Sequence, residues 1–211
     1  MNDDLFFPFN TCEKPNEEGV AQPYSVMLNI VSCFIVLFFL LQTRHLYTFL
    51  FLLSILCFQL FHAFSHTIHI EGPFQTNVIH VLAYFVNGTL AYMLYSYTHL
   101  VPHIYFILYL GILVCFDLYT FMRVWIIPSF FSQVIMLVSL LLYYFTALSV
   151  SIQRDIYWVI FLAVLITMFV INEKYNCERM VAFNPVFPYH IFIEITGIVF
   201  FYVISSSVYK L

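Results

Sequence analysis

Residues 46–70, LYTFLFLLSILCFQLFHAFSHTIHI, decide the fold. The run holds no Asp, Glu, Lys or Arg, and it exceeds the roughly 20 residues that a helix needs to cross a hydrocarbon layer about 30 Å thick. Its apolar residues are continuous and do not alternate, so it reads as a spanning helix and not as a barrel strand. His62, Ser65, His66 and His69 interrupt it late. Spacings of three and four stack the histidines on one helix face. Ionisable groups are costly in hydrocarbon, and where they occur they usually pair or line a working cavity.

The same pattern extends outward. No charged residue lies between Glu71 and Asp117 or between Arg123 and Arg154, and the 211-residue chain is 63% hydrophobic, 21% aromatic and 9% charged. A soluble domain carries about 25% charged residues, so the chain is expected to be an all-α, polytopic membrane protein with a seven-transmembrane helix bundle. The spans are expected at Tyr24 to Gln42, Leu46 to Ile70, Phe74 to Tyr97, His103 to Met122, Phe130 to Val150, Ile156 to Ile171 and Tyr189 to Tyr209. Connections are short except for a charged sixth loop from Asn172 to Pro188. Short connections make successive helices antiparallel neighbours. Residues 1–23 form an acidic tail and residues 24–211 the membrane domain. No internal repeat is visible, and an odd number of spans argues against the simplest inverted-repeat transporter.

The net charge of -4 resides mostly in the tail, where Asp3, Asp4, Glu13, Glu17 and Glu18 face one Lys14. No basic patch exists to hold nucleic acid. Pro8, Pro15 and Pro23 break the tail, which lacks the basic flank and apolar centre of a cleaved signal peptide. Glu13, Glu17 and Glu18 offer either a Ca2+ site or a solvated acidic cluster. Cys33, Cys57 and Cys115 lie in apolar runs as small packing residues. Cys12 and Cys177 lie in polar segments that seven spans put on one side of the membrane. They form a disulfide if that side is lumenal or extracellular, and are two free thiols if it is cytosolic. Lys and Arg are nearly balanced between the two sides, so the positive-inside rule does not orient the chain. The acidic tail and the possible cysteine link favour an outside or lumenal N-terminus.

Polar residues recur inside other spans. His80, Tyr84 and Asn87 form a stripe on the third, Asp117 lies on the fourth before Arg123, and His190 and Glu194 stand one turn apart on the seventh. Zn2+ takes three or four His, Cys or carboxylate ligands, and a catalytic site keeps one position for water. His62 or His66 with His190 and Glu194 would supply that set. Bound zinc would bring its water to a pKa of about 7 and yield a hydroxide able to attack an amide or ester carbonyl. The plainer reading is that the histidines hydrogen-bond between helices. Likewise, Asp117 pairs either with Arg123 as a structural contact or with the chemistry, and His69 is expected at the interface.

These residues resemble a known family. Seven spans, the segment Leu60-Phe61-His62-Ala63-Phe64, and His190 followed by Glu194 resemble the CREST superfamily of membrane hydrolases: the alkaline ceramidases, the progestin and adipoQ receptors, and lipid-remodelling proteins. Cys12-Glu13 with Asn16 and Glu17 looks like the tail of alkaline ceramidases, and Gln22-Pro23-Tyr24-Ser25-Val26 followed by Asn29 is similar to the start of the first span in the remodelling branch. The resemblance implies zinc held by His62, His190 and Glu194, with Glu194 where the family has His. It also implies pairing of Cys12 with Cys177. The family Ser four residues before the first His is absent, since position 58 is Phe; Ser65 with His69 has that spacing, and His80 is nearest to the family Asp of the third span.

The expected function is therefore zinc-dependent hydrolysis of a membrane lipid amide or ester, ceramidase-like. His80 or His66 would shuttle protons, and Ser65 would help to stabilise the oxyanion. The alternative is a seven-span receptor or proton or ion transporter that uses the same buried groups without hydrolysis. The expected location is the endomembrane system (ER or Golgi), or else the plasma membrane. A retinal protein of the usual kind is excluded, because the seventh span has no Lys before Lys210.

Overall fold

The structure is a computed structural model that describes residues 12, 13, 16, 19–68, 73–184 and 187–211. Among the described residues there are seven α-helices: α1 Pro23–Gln42, α2 Leu46–Thr67, α3 Phe74–Thr98, α4 Ile104–Met122, α5 Ile126–Tyr144, α6 Val150–Phe183 and α7 Ile191–Tyr209. Each carries a window long and apolar enough to cross a membrane. Exposed Phe38, Leu41, Phe85, Leu108, Ile112 and Phe161 point outward as a lipid-facing surface requires. The chain is thus an all-α, multi-pass membrane protein.

Two features depart from the expected arrangement. Six helices close a ring in the order α1, α2, α3, α5, α6, α7 and back to α1, while α4 packs outside it, mainly on α5. Short loops make neighbours in sequence but do not force every pair to be the principal packing partners. Asp117 and Thr120 are the fully buried residues of α4, so polar contacts hold this helix inward.

The second departure is α6. Its 34 residues run without a break through the segment read as the sixth loop. At 1.5 Å per residue that is about 51 Å, well beyond the hydrocarbon thickness. Asn172 to Phe183 contain neither Gly nor Pro, so nothing local stops the helix until the Asn184-Pro185 step. Helix α5 begins at Ile126, earlier than Phe130, because Pro128 sits in the first turn, where its missing N–H is harmless.

The apolar core lies toward the end remote from the tail, around Phe51, Leu52, Ile55, Leu90, Met93 and Tyr144. Toward the tail end the interior becomes polar. Glu13 is buried there, and its carboxylate accepts from Tyr24 N at 2.6 Å and from Ser25 Oγ at 2.5 Å. This puts an anion on the orphan amides of the α1 start. Ala21 N and Gln22 N donate to Thr67 O and His66 O at 3.0 Å, so the last stretch of tail docks on the final turn of α2.

Cys12 and Cys177 form a disulfide, with Cα atoms 5.6 Å apart. It ties the tail to the extension of α6. Cys33, Cys57 and Cys115 are free. Alkylation of the denatured protein should label three cysteines before reduction and all five after it, read by intact mass. Five labels without reductant would show that the bond does not form.

Candidate metal centre

His62 and His66 occupy the last two turns of α2, His190 directly precedes α7, and Glu194 lies in the first turn of α7. His66 Nε2 stands 3.2 Å from His62 Nε2 and 3.3 Å from Glu194 Oε1. Ligand atoms of His62, His66 and Glu194 all fall within 4.8 Å of one another. His66 and Glu194 are buried and His62 is partly so.

The outer contacts fix which ring nitrogens face inward. His62 Nδ1 donates to Asn29 Oδ1 at 3.1 Å, and Asn29 Nδ2 donates to Ser25 O at 2.9 Å, which turns the amide oxygen toward the ring. His66 Nδ1 donates to the side-chain oxygen of Gln22. Amide oxygens only accept, so where the two imidazoles are neutral these contacts put the proton on Nδ1 and turn Nε2 toward the group. The 3.2 Å approach of the two Nε2 atoms is then not a hydrogen bond. It brings two ring nitrogens and a carboxylate oxygen together, the donor types that one cation takes. With zinc bonds to nitrogen of 2.0–2.1 Å, ligands of a tetrahedral ion lie about 3.3 Å apart. The observed separations of 3.2 and 3.3 Å fit that spacing.

His190 has a different place from the one expected. It stands between two carboxylates, donating Nδ1 to Glu173 Oε2 at 2.6 Å and Nε2 to Glu194 Oε1 at 3.0 Å. The group that could hold an ion is His62, His66 and Glu194, with His190 bonded to Glu194 from the side. The reason is α6: its unexpected continuation brings Glu173 beside His190 and engages the second ring nitrogen. Glu173 Oε1 also accepts from Cys12 N at 2.7 Å. Outer partners of this kind orient metal ligands and raise their basicity.

A second polar centre joins α3, α4 and α5. Asp117, fully buried, accepts from His80 Nε2 at 2.7 Å, Tyr84 Oη at 2.5 Å, Ser129 Oγ at 2.7 Å and Gln133 Nε2 at 2.8 Å. This corrects the pairing with Arg123, which is exposed and stacks over the Tyr119 ring at 5.6 Å. A turn and a half of helix separates Asp117 from Arg123 by face as well as by distance. Burial left the carboxylate to seek donors from its neighbours instead.

The remaining expected residues are placed as follows. Ser65 is buried, donates its hydroxyl to Phe61 O at 2.9 Å and does not line the cavity described below. Such back-bonding is the usual way for a helix to satisfy a serine in lipid. His66, considered as a shuttle, belongs to the ligand group. His80 faces Asp117. Of the acidic cluster considered for calcium, Glu13 turns inward to α1, while Glu17 and Glu18 lie outside the described residues, as does His69. The sequence reading missed Gln22, Gln59, Asn29 and Glu173 as partners of the site. Gln59 and Asn29 are polar in apolar runs, a sign that was available.

The two centres open onto one cavity of about 310 Å³. His62, His190, Glu194 and Glu173 lie on its wall with His80 and Asn87, and Phe58, Ile79, Phe121, Val134, Ile166 and Phe200 are among its many apolar neighbours. An apolar cavity with a few convergent polar groups is the ordinary form of a small-molecule site. No family model, no curated protein and no solved structure matches this chain.

Proposed function

We propose that the protein is a zinc-dependent intramembrane hydrolase acting on a lipid amide or ester, as the motifs shared with the alkaline ceramidases suggest. The observation that carries this reading is the approach of two imidazole nitrogens and one carboxylate oxygen at the wall of an apolar cavity. His62, His66 and Glu194 would hold the ion. When bound, zinc polarises a carbonyl and acidifies water to a pKa of about 7.

The chain's own groups do the rest. Asn29 and Gln22 hold the two imidazoles in register, and His190, backed by Glu173, holds Glu194. His80 lines the cavity and keeps Nε2 on Asp117, so its Nδ1 is the atom that takes a proton from the cavity and returns it to a leaving group. The apolar walls accommodate acyl chain and exclude bulk water. The disulfide suits an oxidising compartment on this side of the membrane, and on this reading that side is the lumen of the endomembrane system or the cell exterior.

The test is fatty-acid release from tagged N-acyl and O-acyl lipids by purified protein. Release should stop with a chelator, return with zinc, and be absent from a His62→Ala, Glu194→Ala variant. A second reading rests on the close succession of ionisable groups Glu173, His190, Glu194, His66 and His62, each within 3.3 Å of the next, which would suit a proton relay in a transporter once the two histidines exchange tautomers. Protein with no bound zinc and no lipid turnover, but with pH-dependent ion flux in liposomes, would replace the first reading by the second.

A further inference from the structure

Gln133 links the Asp117 centre to a polar atom that no described residue satisfies. The Asp117 carboxylate can only accept, so the nitrogen of Gln133 must face it, as the 2.8 Å contact shows. Gln133 Oε1 then faces Asn87, whose Nδ2 donates to it at 2.9 Å and to Ala83 O at 3.2 Å. Turning the Asn87 amide over would put oxygen against two oxygens. Its orientation is therefore set from Asp117 through two amides, and Asn87 Oδ1 remains. That atom is buried and has no hydrogen-bond partner among the described residues. Asn87 itself is 8% exposed and lines the cavity. It stands near the middle of α3, at mid-membrane depth.

We propose that Asn87 Oδ1 is a recognition point for a hydrogen-bond donor on the lipid in this cavity: a hydroxyl carried on the hydrocarbon chain. A buried acceptor left unmet is destabilising, whereas a ligand hydroxyl would satisfy it. A bare acyl chain would displace any water there and offer nothing in return. The residue thus selects hydroxylated over plain chains, and Gln133 with Asp117 keeps its oxygen presented.

The inference rests on the reading that a lipid occupies the cavity and is independent of hydrolysis. It is tested by binding to chelator-treated protein in nanodiscs, using N-methyl octadecanamide and its positional isomers with one chain hydroxyl. One hydroxyl position should bind about five- to tenfold tighter than the plain amide, in line with one net hydrogen bond, and Asn87→Leu should erase that difference while still binding the plain amide. If that variant does not fold, the Asn87→Leu, Gln133→Leu pair, which removes both partners, carries the same test. An equal affinity for all isomers, or a preference that survives the substitution, would overturn the proposal and leave Asn87 Oδ1 to a water molecule. Loss of zinc-dependent turnover with the hydroxyl preference intact would count against the hydrolase reading alone.

Discussion

Replacing His66 by Ala is expected to empty the metal centre, while replacing His190 by Ala is expected to weaken it. His66 supplies one of three converging ligand atoms, and two ligands do not make a structural or catalytic zinc site. His190 touches Glu194 from behind, and loss of such an outer partner lowers affinity or activity about 10- to 100-fold. Elemental analysis of purified protein across a zinc titration separates the two cases. The wild type should hold one zinc per chain, the His190→Ala protein should reach the same level at higher free zinc, and the His66→Ala protein should not reach it. The opposite order would restore His190 as the ligand and make His66 its support.

The second large effect is expected at Asp117. The carboxylate accepts from four side chains on two helices, α3 and α5, and it is completely buried. Asp117→Ala leaves the His80, Tyr84, Ser129 and Gln133 donors without their acceptor. Removing one partner of a buried ionic contact typically costs about 3–5 kcal/mol. Because α4 has little other buried surface, the loss should fall on its attachment to α5 and α3. Thermal unfolding in detergent, monitored by helix signal, should show a clear drop in midpoint. Arg123→Ala, a change at an exposed cation, should stay within about 1 kcal/mol of wild type. Equal effects would mean that Asp117 and Arg123 act as a pair after all.

Much of the fold was legible because membrane spans are long and their rule is simple. Charge-free apolar runs located all seven helices, and the start of α2 and the end of α1 fell where Gln42, Thr43 and Arg44 break the hydropathy. The end of α6 was not legible in that way. Hydropathy reports where lipid stops, not where a helix stops, and residues 172–183 are good helix formers in water. The position of α4 was also hidden, since a short loop states adjacency in sequence and says little about which face of the ring a helix takes.

At the candidate site, the spacing of His62 with His66 and of His190 with Glu194 singled out four residues that the fold brings together. It could not rank them. The choice between ligand and support depends on what each Nδ1 touches, and those partners come from α1 and from the part of α6 that polarity assigns to a loop. Ser65 illustrates the opposite case. It shares a helix with the histidines, yet its hydroxyl is spent on Phe61 O, a local bond that sequence spacing permits at almost any serine in a span.

The disulfide and the histidine group lie at the same end of the bundle. Biological bilayers are asymmetric, and a lipid crosses unaided from one leaflet to the other only slowly, because its head group must pass through hydrocarbon. On the proposed function, a reaction centre at an oxidising face would therefore draw on the lumenal or outer leaflet alone. Supply to such a centre is governed by whatever moves lipid to that leaflet, and any product with a charged head group stays there until it is carried away.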